Sequence, residues 1–407
     1  MSVSPDLVLL TAQYPFGNKA ETFLETEIHV LAERFRRVFV LPSHRGLTQR
    51  PLPERATLIE MPWLVPPGGG EKRKALLSRE ALQVMVATAG VAANWVPYLG
   101  WPRAYLDILA TNIIKSRQLR EFVNKQNLGE AIFYDYWFEN CTVALALLRR
   151  AGVVKTALAR AHRFDVYDES WGGRPVPFRE FKASGMDAVF SVSEAGASYL
   201  SAKCPPLRTI LGVSRLGVPC QLLPAAQPAD VPLVVSCASL LPFKRVHLIP
   251  AVLAGLERPV RWVHFGDGPE RDRVVAAAAK LPDRVHLELI GHVDNSAVLD
   301  FYRTYHVDAF ISLSASEGLP VSMMEACSFG VPIVAVGVNG VPEIVTSCTG
   351  VLLSEDAGLE EMRAGLTQAL DRDRFDRTQI RAFFAERFDA RTNYNRFVDA
   401  IIALQQD

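Results

Sequence analysis

The sequence lacks the marks of several protein classes. Its 407 residues include only six cysteines, widely spaced and without a CxxC pair. Such spacing argues against a disulfide framework or a structural zinc site and favours buried free thiols in a reducing compartment. A basic surplus is also missing, because 44 Lys+Arg are balanced by 44 Asp+Glu. A protein that works mainly by coating nucleic acid needs that surplus, so the balance argues against this class.

Few runs are long and apolar. Residues 1–6 are polar, and the short apolar run at 7–12 indicates a buried strand and no secretory signal. The charge-free stretch at 81–101 has the length of a membrane span. Glycine, asparagine and proline interrupt it, so packed helices or a segment lying in the membrane interface is the better interpretation. We therefore expect a cytoplasmic protein, which could contact the inner face of the membrane.

The neutral total hides two oppositely charged halves. Residues 1–215 contain 27 Lys+Arg and 20 Asp+Glu, whereas residues 216–407 contain 17 and 24. One interpretation is mutual attraction of two domains. The other is that the first half faces an anionic membrane surface or a phosphorylated acceptor. The basic cluster at 72–74 beside the charge-free stretch suits peripheral membrane contact through the N-terminal domain, although a solvated helix start explains it equally well.

Short aliphatic runs alternate with helical patterns along the whole chain. Strands are predicted at residues 7–12, 38–42, 131–136, 155–161, 188–193, 233–238, 261–265, 285–290, 309–313 and 332–336. This alternation predicts an α/β protein with parallel sheets and helices on both faces. Residues 212–232 carry four prolines and separate two such units. We expect two Rossmann-like, doubly wound domains facing a cleft, with ligands at the carboxyl ends of the strands.

The most informative segment is residues 312–345. A strand ends near Leu313, and a loop containing Gly318 and Leu319 leads to Pro320, which we place at the first helical position. A strand, a glycine-containing loop and a helix N-terminus offer backbone N–H groups to a diphosphate. Glu317 in the loop and Glu325 on the helix are hydrogen-bond acceptors when ionised, which suits them to sugar hydroxyls. Taken alone, the two glutamates could equally be a loop charge and a solvated helix position.

The flanking residues favour the first interpretation. The Glu-x7-Glu spacing, with EGLP before it and EACSFGVPIV after it, resembles the donor-site signature of family 4 glycosyltransferases, which have the GT-B fold. Residues 236–248 resemble the strand and loop with that family's phosphate-binding lysine, here Lys244. Residues 263–270, with Gly266 and Gly268, resemble its Gly-x-Gly-Pro turn. Residues 289–293, with His292 and Val293, resemble its nucleobase loop.

The first half is similar to a branch of that family that acts in capsular and extracellular polysaccharide assembly. The similarity lies in residues 14–23, 133–138, 161–165, 191–196 and 213–219. One departure concerns the cations. Where family members often have an arginine five residues before the lysine, this chain has Ser239, and Arg245 after the lysine is the candidate replacement.

The resemblance implies a domain division and a set of roles. Residues 1–215 would form the acceptor-side domain, 216–385 the nucleotide-sugar domain, and 386–407 a C-terminal helix crossing back. Lys244, Arg245 and the amides of Gly318 and Leu319 would balance the charge on the departing diphosphate. Glu325 would hold the ribose, Glu317 the transferred sugar, and His162 would line the cleft. The acceptor would meet residues 20–23 and 136–138.

The implied reaction is transfer, with retention of configuration, of a sugar from a UDP- or GDP-linked donor to a glycan or a polyprenyl-pyrophosphate-linked acceptor. We expect no metal and no cofactor, since the only Asp-x-Asp pair, Asp371 with Asp373, lies in a charged stretch typical of a solvated helix or turn. A GT-B epimerase and a non-catalytic nucleotide-sugar-binding protein remain as alternatives. A dehydrogenase is poorly supported because the GDG turn at 266–268 lacks the third glycine of the dinucleotide fingerprint.

Overall fold

The structure is a computed structural model that describes residues 4–17, 21–91, 103–139, 141–222 and 226–405. The end of the charge-free stretch, residues 92–101, therefore lies outside the described residues, as do residues 18–20 of the first loop. The chain divides into two compact units, Met1–Ser214 with Tyr394–Asp407, and Arg215–Asn393.

The first unit is built on a parallel sheet. Its strands are β1 (Leu7–Thr11), β2 (Val38–Pro42), β3 (Ala56–Leu58), β4 (Ile132–Asp135), β5 (Thr156–Ala161), β6 (Ala188–Ser191) and β7 (Leu211–Val213). They are ordered β3-β2-β1-β4-β5-β6-β7, and every pairing is parallel. Strands β1 and β2 read as nearly continuous apolar runs, and β1, β2, β4 and β5 are buried along their whole length, as expected for a parallel sheet covered on both faces.

The helices of the first unit connect these strands. They are α1 (Leu24–Arg34), α2 (Gly69–Leu76), α3 (Arg79–Val91), α4 (Arg103–Gln126), α5 (Thr142–Arg150), α6 (Arg163–Val166), α7 (Arg179–Ala183) and α8 (Glu194–Lys203). Among the described residues, no helix is both long and apolar enough to cross a membrane.

The second unit repeats the design with a six-stranded sheet. Its strands are β8 (Leu233–Cys237), β9 (Val260–Phe265), β10 (Val285–Gly291), β11 (Ala309–Ser312), β12 (Ile333–Val336) and β13 (Gly350–Leu353), in the order β10-β9-β8-β11-β12-β13. Its helices are α9 (Ile249–Ala254), α10 (Arg271–Ala278), α11 (Asn295–Thr304), α12 (Val321–Ser328), α13 (Leu359–Ala369) and α14 (Arg377–Phe388). The last helix, α15 (Ala390–Ala403), continues into the part of the chain that belongs to the first unit.

The prediction of an α/β fold with two Rossmann-like parallel-sheet domains is confirmed. The predicted strands all have counterparts, and the structure adds the short strands β3, β7 and β13 at the edges of the sheets. In each sheet the order reverses once, between β1 and β4 and between β8 and β11. Such a reversal opens a crevice at the carboxyl ends of the two strands, which is where ligands bind in folds of this kind.

Candidate functional site

The strand-order reversal of the second unit brings together two of the predicted residues. Lys244 ends the 3-10 turn Pro242–Lys244 that follows β8, and Glu317 lies in the loop that follows β11. The Lys244 Nζ atom lies 2.6 Å from Glu317 Oε1, and both side chains are largely buried. A backbone hydrogen bond of 2.7 Å from Ala315 N–H to the Phe243 carbonyl also joins the two loops. The ammonium group is therefore fixed at the carboxyl edge of the sheet.

Arg245 points to the same strand end. Its backbone is left-handed, with φ 49°, and its Nε–H donates to the Leu313 carbonyl at 2.6 Å. Its Nη2 is buried and has no hydrogen-bond partner among the described residues. Burial lowers the pKa of this guanidinium from its usual value, but an arginine remains charged at any physiological pH. A second cation with donor capacity to spare thus lies beside the Glu317 loop, whereas Ser239 is exposed in the loop after β8.

Gly266 and Gly268 lie where their loop passes close to the backbone of the loop after β8, which leaves no room for a side chain. Both have positive φ, and a Cβ on Gly266 would lie 1.9 Å from the Ala238 carbonyl oxygen. A Cβ on Gly268 would lie 2.7 Å from the Leu240 carbonyl oxygen. The two loops are also joined by hydrogen bonds, including one of 3.0 Å from Leu240 N–H to the Asp267 carbonyl. These glycines therefore support the loop that presents Lys244.

Helix α12 begins one residue later than predicted. Pro320 is its N-cap, with extended backbone angles, and does not occupy the first helical position. Its carbonyl can thus accept the N–H groups of Met323 and Met324, at 3.2 and 3.3 Å. The amides of Gly318 and Leu319, just before the cap, make no hydrogen bond to any residue that the structure describes. They remain available to a ligand at the helix N-terminus.

Glu325 is a buried carboxylate on α12, with a side chain only 5% exposed. Burial raises its pKa to about 7, and a hydrogen bond from the Asn295 side-chain amide opposes that shift. The Asn295 Nδ2 atom lies 2.6 Å from Glu325 Oε1. Within the described residues Glu325 has no cationic partner. A carboxylate of this kind is best stabilised by donors that arrive with a ligand, such as hydroxyl groups.

The loop predicted to hold the nucleobase reaches Glu325 through Asn295. His292 is exposed and Val293 is half-buried after the end of β10, and Asn295 opens α11 two residues later. Sequence reasoning missed Asn295, since only its partner identifies it. Burial raises the pKa of the Cys237 thiol, at the end of β8, to about 12; the charge of Glu325 raises it further and that of Lys244 opposes the shift.

In the first unit, His162 lies directly after β5 and is surrounded by aromatic rings. Its ring centroid is 4.4 Å from that of Trp137, 5.0 Å from Tyr136 and 5.8 Å from Phe23. The residue is 5% exposed, and neither ring nitrogen has a hydrogen-bond partner among the described residues. Burial, with a smaller contribution from Arg160, holds the pKa of His162 well below its usual value. The imidazole is therefore neutral near pH 7 and suited to exchange hydrogen bonds with a hydroxyl group.

Glu21, one of the residues 20–23 predicted to meet the acceptor, has a structural role that the sequence does not indicate. Its carboxylate accepts hydrogen bonds from the backbone N–H groups of Ala12, Gln13 and Tyr14, at 2.9, 2.8 and 2.6 Å. It also accepts the Trp137 indole N–H at 2.6 Å. Glu21 thus joins the loop after β1 to the loop after β4. It also holds Trp137, whose ring packs against His162.

The structure gives no sign of a metal centre within its described ranges. No group of three or more His, Cys, Asp or Glu side chains there could hold a metal ion. Asp371 and Asp373 lie exposed in the turn between α13 and α14.

Comparison with known proteins finds glycosyltransferases among the chain's relatives. Residues 224–387 match the family model for glycosyl transferases group 1. The chain is 29% identical over 252 residues to the putative colanic acid biosynthesis glycosyltransferase WcaL of Escherichia coli (strain K12), covering 57% of this chain and 60% of that protein. It is 36% identical over 113 residues to a phosphatidylinositol N-acetylglucosaminyltransferase component of Arabidopsis thaliana, covering 27% and 24%. The matches thus span less than two thirds of either relative.

Solved structures show the fold. The apo form of the lipopolysaccharide outer core galactosyltransferase WaaB aligns with a TM-score of 0.68 at 13% identity, over 98% of this chain and 99% of that one. Anabaena Alr3699/HepE in complex with UDP and glucose aligns with a TM-score of 0.64 at 16% identity, over 98% and 99%. The chain has the GT-B fold, and its second unit matches the family model for glycosyl transferases group 1.

Proposed function

We propose that the protein is a retaining glycosyltransferase of family 4, which moves a sugar from a UDP- or GDP-linked donor to a glycan or lipid-linked acceptor. The observation that carries the proposal is the contact between Lys244 and Glu317, which puts a fixed cation and a sugar-binding carboxylate at the strand-order reversal. The match of the second unit to glycosyl transferases group 1 supports it. Similarity to WcaL supports a role in surface polysaccharide assembly.

In this proposal the donor diphosphate lies against Lys244, Arg245 and the amides of Gly318 and Leu319. Negative charge grows on the diphosphate as the bond to the sugar breaks, and groups already aimed at it stabilise the transition state without reorganisation. Glu317 holds the ammonium group in place before the donor arrives and then faces the hydroxyls of the transferred sugar. Because two cations supply the positive charge, the reaction as proposed needs no metal.

Glu325 binds the ribose hydroxyls, and Asn295 holds its carboxylate in the orientation and ionisation state that this requires. The hydrogen bond from Asn295 favours the ionised form and thereby offsets part of the burial cost. The base lies at the loop containing His292 and Val293. Complexes of the structural neighbour HepE with UDP and with UDP-glucose support a uridine nucleotide as the first donor to test.

The acceptor belongs to the first unit in this proposal. The neutral His162 imidazole, with both nitrogens unpartnered among the described residues, hydrogen-bonds to a sugar hydroxyl there. The surrounding aromatic rings suit the apolar face of a sugar. A donor phosphate oxygen takes the acceptor proton, so no charged base is required. A lipid-linked acceptor would bring the protein to a membrane, and we extend the proposal to peripheral contact through the first unit.

The test is incubation of the protein with UDP-, GDP- and ADP-sugars while nucleotide release and sugar stereochemistry are followed. The proposal expects one nucleotide class to bind and to be released slowly, with retained configuration in the product. Tight binding without release would favour the alternative of a non-catalytic nucleotide-sugar-binding protein, which the exposed Ser239 in the arginine position supports. Recovery of an epimerised donor would favour the epimerase. Neither binding nor release across the panel would contradict the proposal.

A further inference from the structure

Two consecutive helices of the first unit expose large apolar side chains close together in the chain. Leu77, in the turn between α2 and α3, is 89% exposed, and Leu82 and Val86 on α3 are 63% and 60% exposed. Each lies in the described part of the chain, before residue 89. A single exposed leucine is ordinary on a protein surface. Three large exposed apolar side chains within ten residues form a patch, and such patches often mark interaction sites.

Helix α3 carries apolar residues on its outward side as well as on its inward side. The inward side buries Ala81 and Val84, both with no exposed surface, and Met85 packs partly buried against the core. The outward side carries Leu82 and Val86, spaced one helical turn apart. A surface helix of a soluble domain usually carries polar residues on its outward side. The outward leucine and valine are therefore not explained by packing within this unit.

Basic residues accompany these apolar side chains. Arg73, Lys74 and Arg79 are exposed on the same two helices and form no ion pair with a described residue. The neighbouring charges are used within the unit. Lys72 pairs with Asp107 at 2.5 Å, Glu80 pairs with Arg117 at 3.2 Å, and Glu71 accepts the Gly68 amide at 3.2 Å. The outward side of the two helices thus combines apolar and positive groups.

We propose that this surface, formed by Arg73, Lys74, Leu77, Arg79, Leu82 and Val86 and here named the α2–α3 surface, docks on an anionic lipid bilayer. Apolar side chains enter the boundary between headgroups and acyl chains, while arginine and lysine remain at the negatively charged headgroups. A second copy of the chain fits less well, because a symmetric contact would bring each set of three cations against the same set on the partner. The inference rests on the membrane contact proposed for the first unit.

Vesicle flotation of the full-length protein tests the proposal without donor or acceptor. Vesicles of equal parts phosphatidylcholine and phosphatidylglycerol should carry the protein, and pure phosphatidylcholine vesicles should carry much less. The double variant L82S/V86S should reduce partitioning roughly tenfold or more. The double variant R73Q/K74Q should reduce it by a similar factor at low salt and remove most of its salt dependence. The matched control L359S/V275S changes exposed apolar residues of the second unit and should partition as the parent does.

Three results would overturn the inference: no binding to the anionic vesicles, equal binding by the α2–α3 variants, or equal loss in the control. Light scattering in solution supplies a further outcome. If the parent is a dimer that L82S/V86S converts to a monomer, the surface is an interface between copies and the lipid assignment is wrong. Nucleotide release by the same proteins is measured in solution, so a failed transferase proposal and a failed membrane proposal give different results.

Discussion

Lys244 and Glu317 meet at 2.6 Å although they are 73 positions apart in the chain. Their contact is created by topology, since β8 and β11 are neighbours in the sheet and their following loops leave the same edge. An amine and a carboxylate so placed form a preorganised pair. In the proposed function, donor phosphates share the amine without any loop having to fold first.

Replacement of Lys244 should show how much its positive charge contributes to turnover. We expect Lys244→Ala to reduce turnover roughly 100- to 1,000-fold, since a donor aimed at developing negative charge is lost. Thermal stability should fall by more than for a surface lysine variant, because the largely buried Glu317 then lacks its cationic partner, so turnover is compared where both proteins are folded. Lys280→Ala, which removes an exposed lysine of the same unit, is the matched control and should keep parental turnover. Full activity of Lys244→Ala would remove this residue from the mechanism.

Nucleotide affinity should depend on pH through Glu325. Its pKa is raised to about 7, so the carboxylate gains its proton as the pH falls through 7 and can then accept fewer hydroxyl hydrogen bonds. Affinity for the cognate nucleotide should therefore fall between pH 8 and about pH 6. Asn295→Ala removes a hydrogen bond that favours the ionised form, so the fall should begin at higher pH. Calorimetric titration at several pH values measures both curves, and superimposable curves would show that Asn295 has no positioning role.

The same carboxyl makes a prediction for stability. Its folded pKa lies above the usual 4.5, so the folded state retains a proton that the unfolded state releases. Glu325 therefore lowers stability as the pH rises from about 4.5 to 7, and the cost persists above 7. Glu325→Gln carries no such cost, and its advantage over the parent should grow across that range to about 3 kcal/mol at most. Urea denaturation at pH 4.5 and pH 8 measures it, and an advantage that does not grow with pH would contradict the assignment.

Gly266 should tolerate no side chain. In Gly266→Ala the new methyl group would lie 1.9 Å from the Ala238 carbonyl oxygen, so the loop that presents Lys244 must move. We expect a loss of about 3 kcal/mol or more, together with weakened nucleotide binding. Gly152→Ala is the control, because that glycine also has positive φ but has nothing within 4 Å of the added Cβ. The control should lose only about 1 kcal/mol of stability. Equal losses in both variants would show that backbone strain, and not the contact with Ala238, causes the destabilisation.

Glu21 should contribute more to the free energy of unfolding than a residue in a loop usually does. Glu21→Gln keeps the shape but places an amide group among four N–H donors, so at least one buried donor loses its partner. A loss of about 2–3 kcal/mol is expected. Glu25→Gln, which alters the exposed carboxylate of a pair with the largely buried Arg50, should cost less than about 1 kcal/mol. Similar denaturation midpoints for the two variants would show that the four hydrogen bonds matter little.

The residues predicted from the sequence and those missed differ in whether neighbouring positions in the chain identify them. Lys244, Glu317 and Glu325 stand in stretches that resemble a family's donor-site pattern, and this resemblance identifies them. Asn295 has no such pattern and is identified only by a partner 30 positions away. Glu21 lies in a stretch predicted to meet the acceptor, but its hydrogen bonds to the amides of residues 12–14 are visible only in the structure. The start of α12 differs from the prediction by one residue, because Pro320 has extended backbone angles and stands at the N-cap.

A structure of the protein with its nucleotide diphosphate tests the central claim most directly. The proposal predicts that phosphate oxygens lie within hydrogen-bond distance of Lys244 Nζ and of the Gly318 or Leu319 amide, with the ribose hydroxyls on Glu325. A nucleotide bound elsewhere, or bound with its phosphates turned away from Lys244 while the amine stays on Glu317, would contradict the proposal.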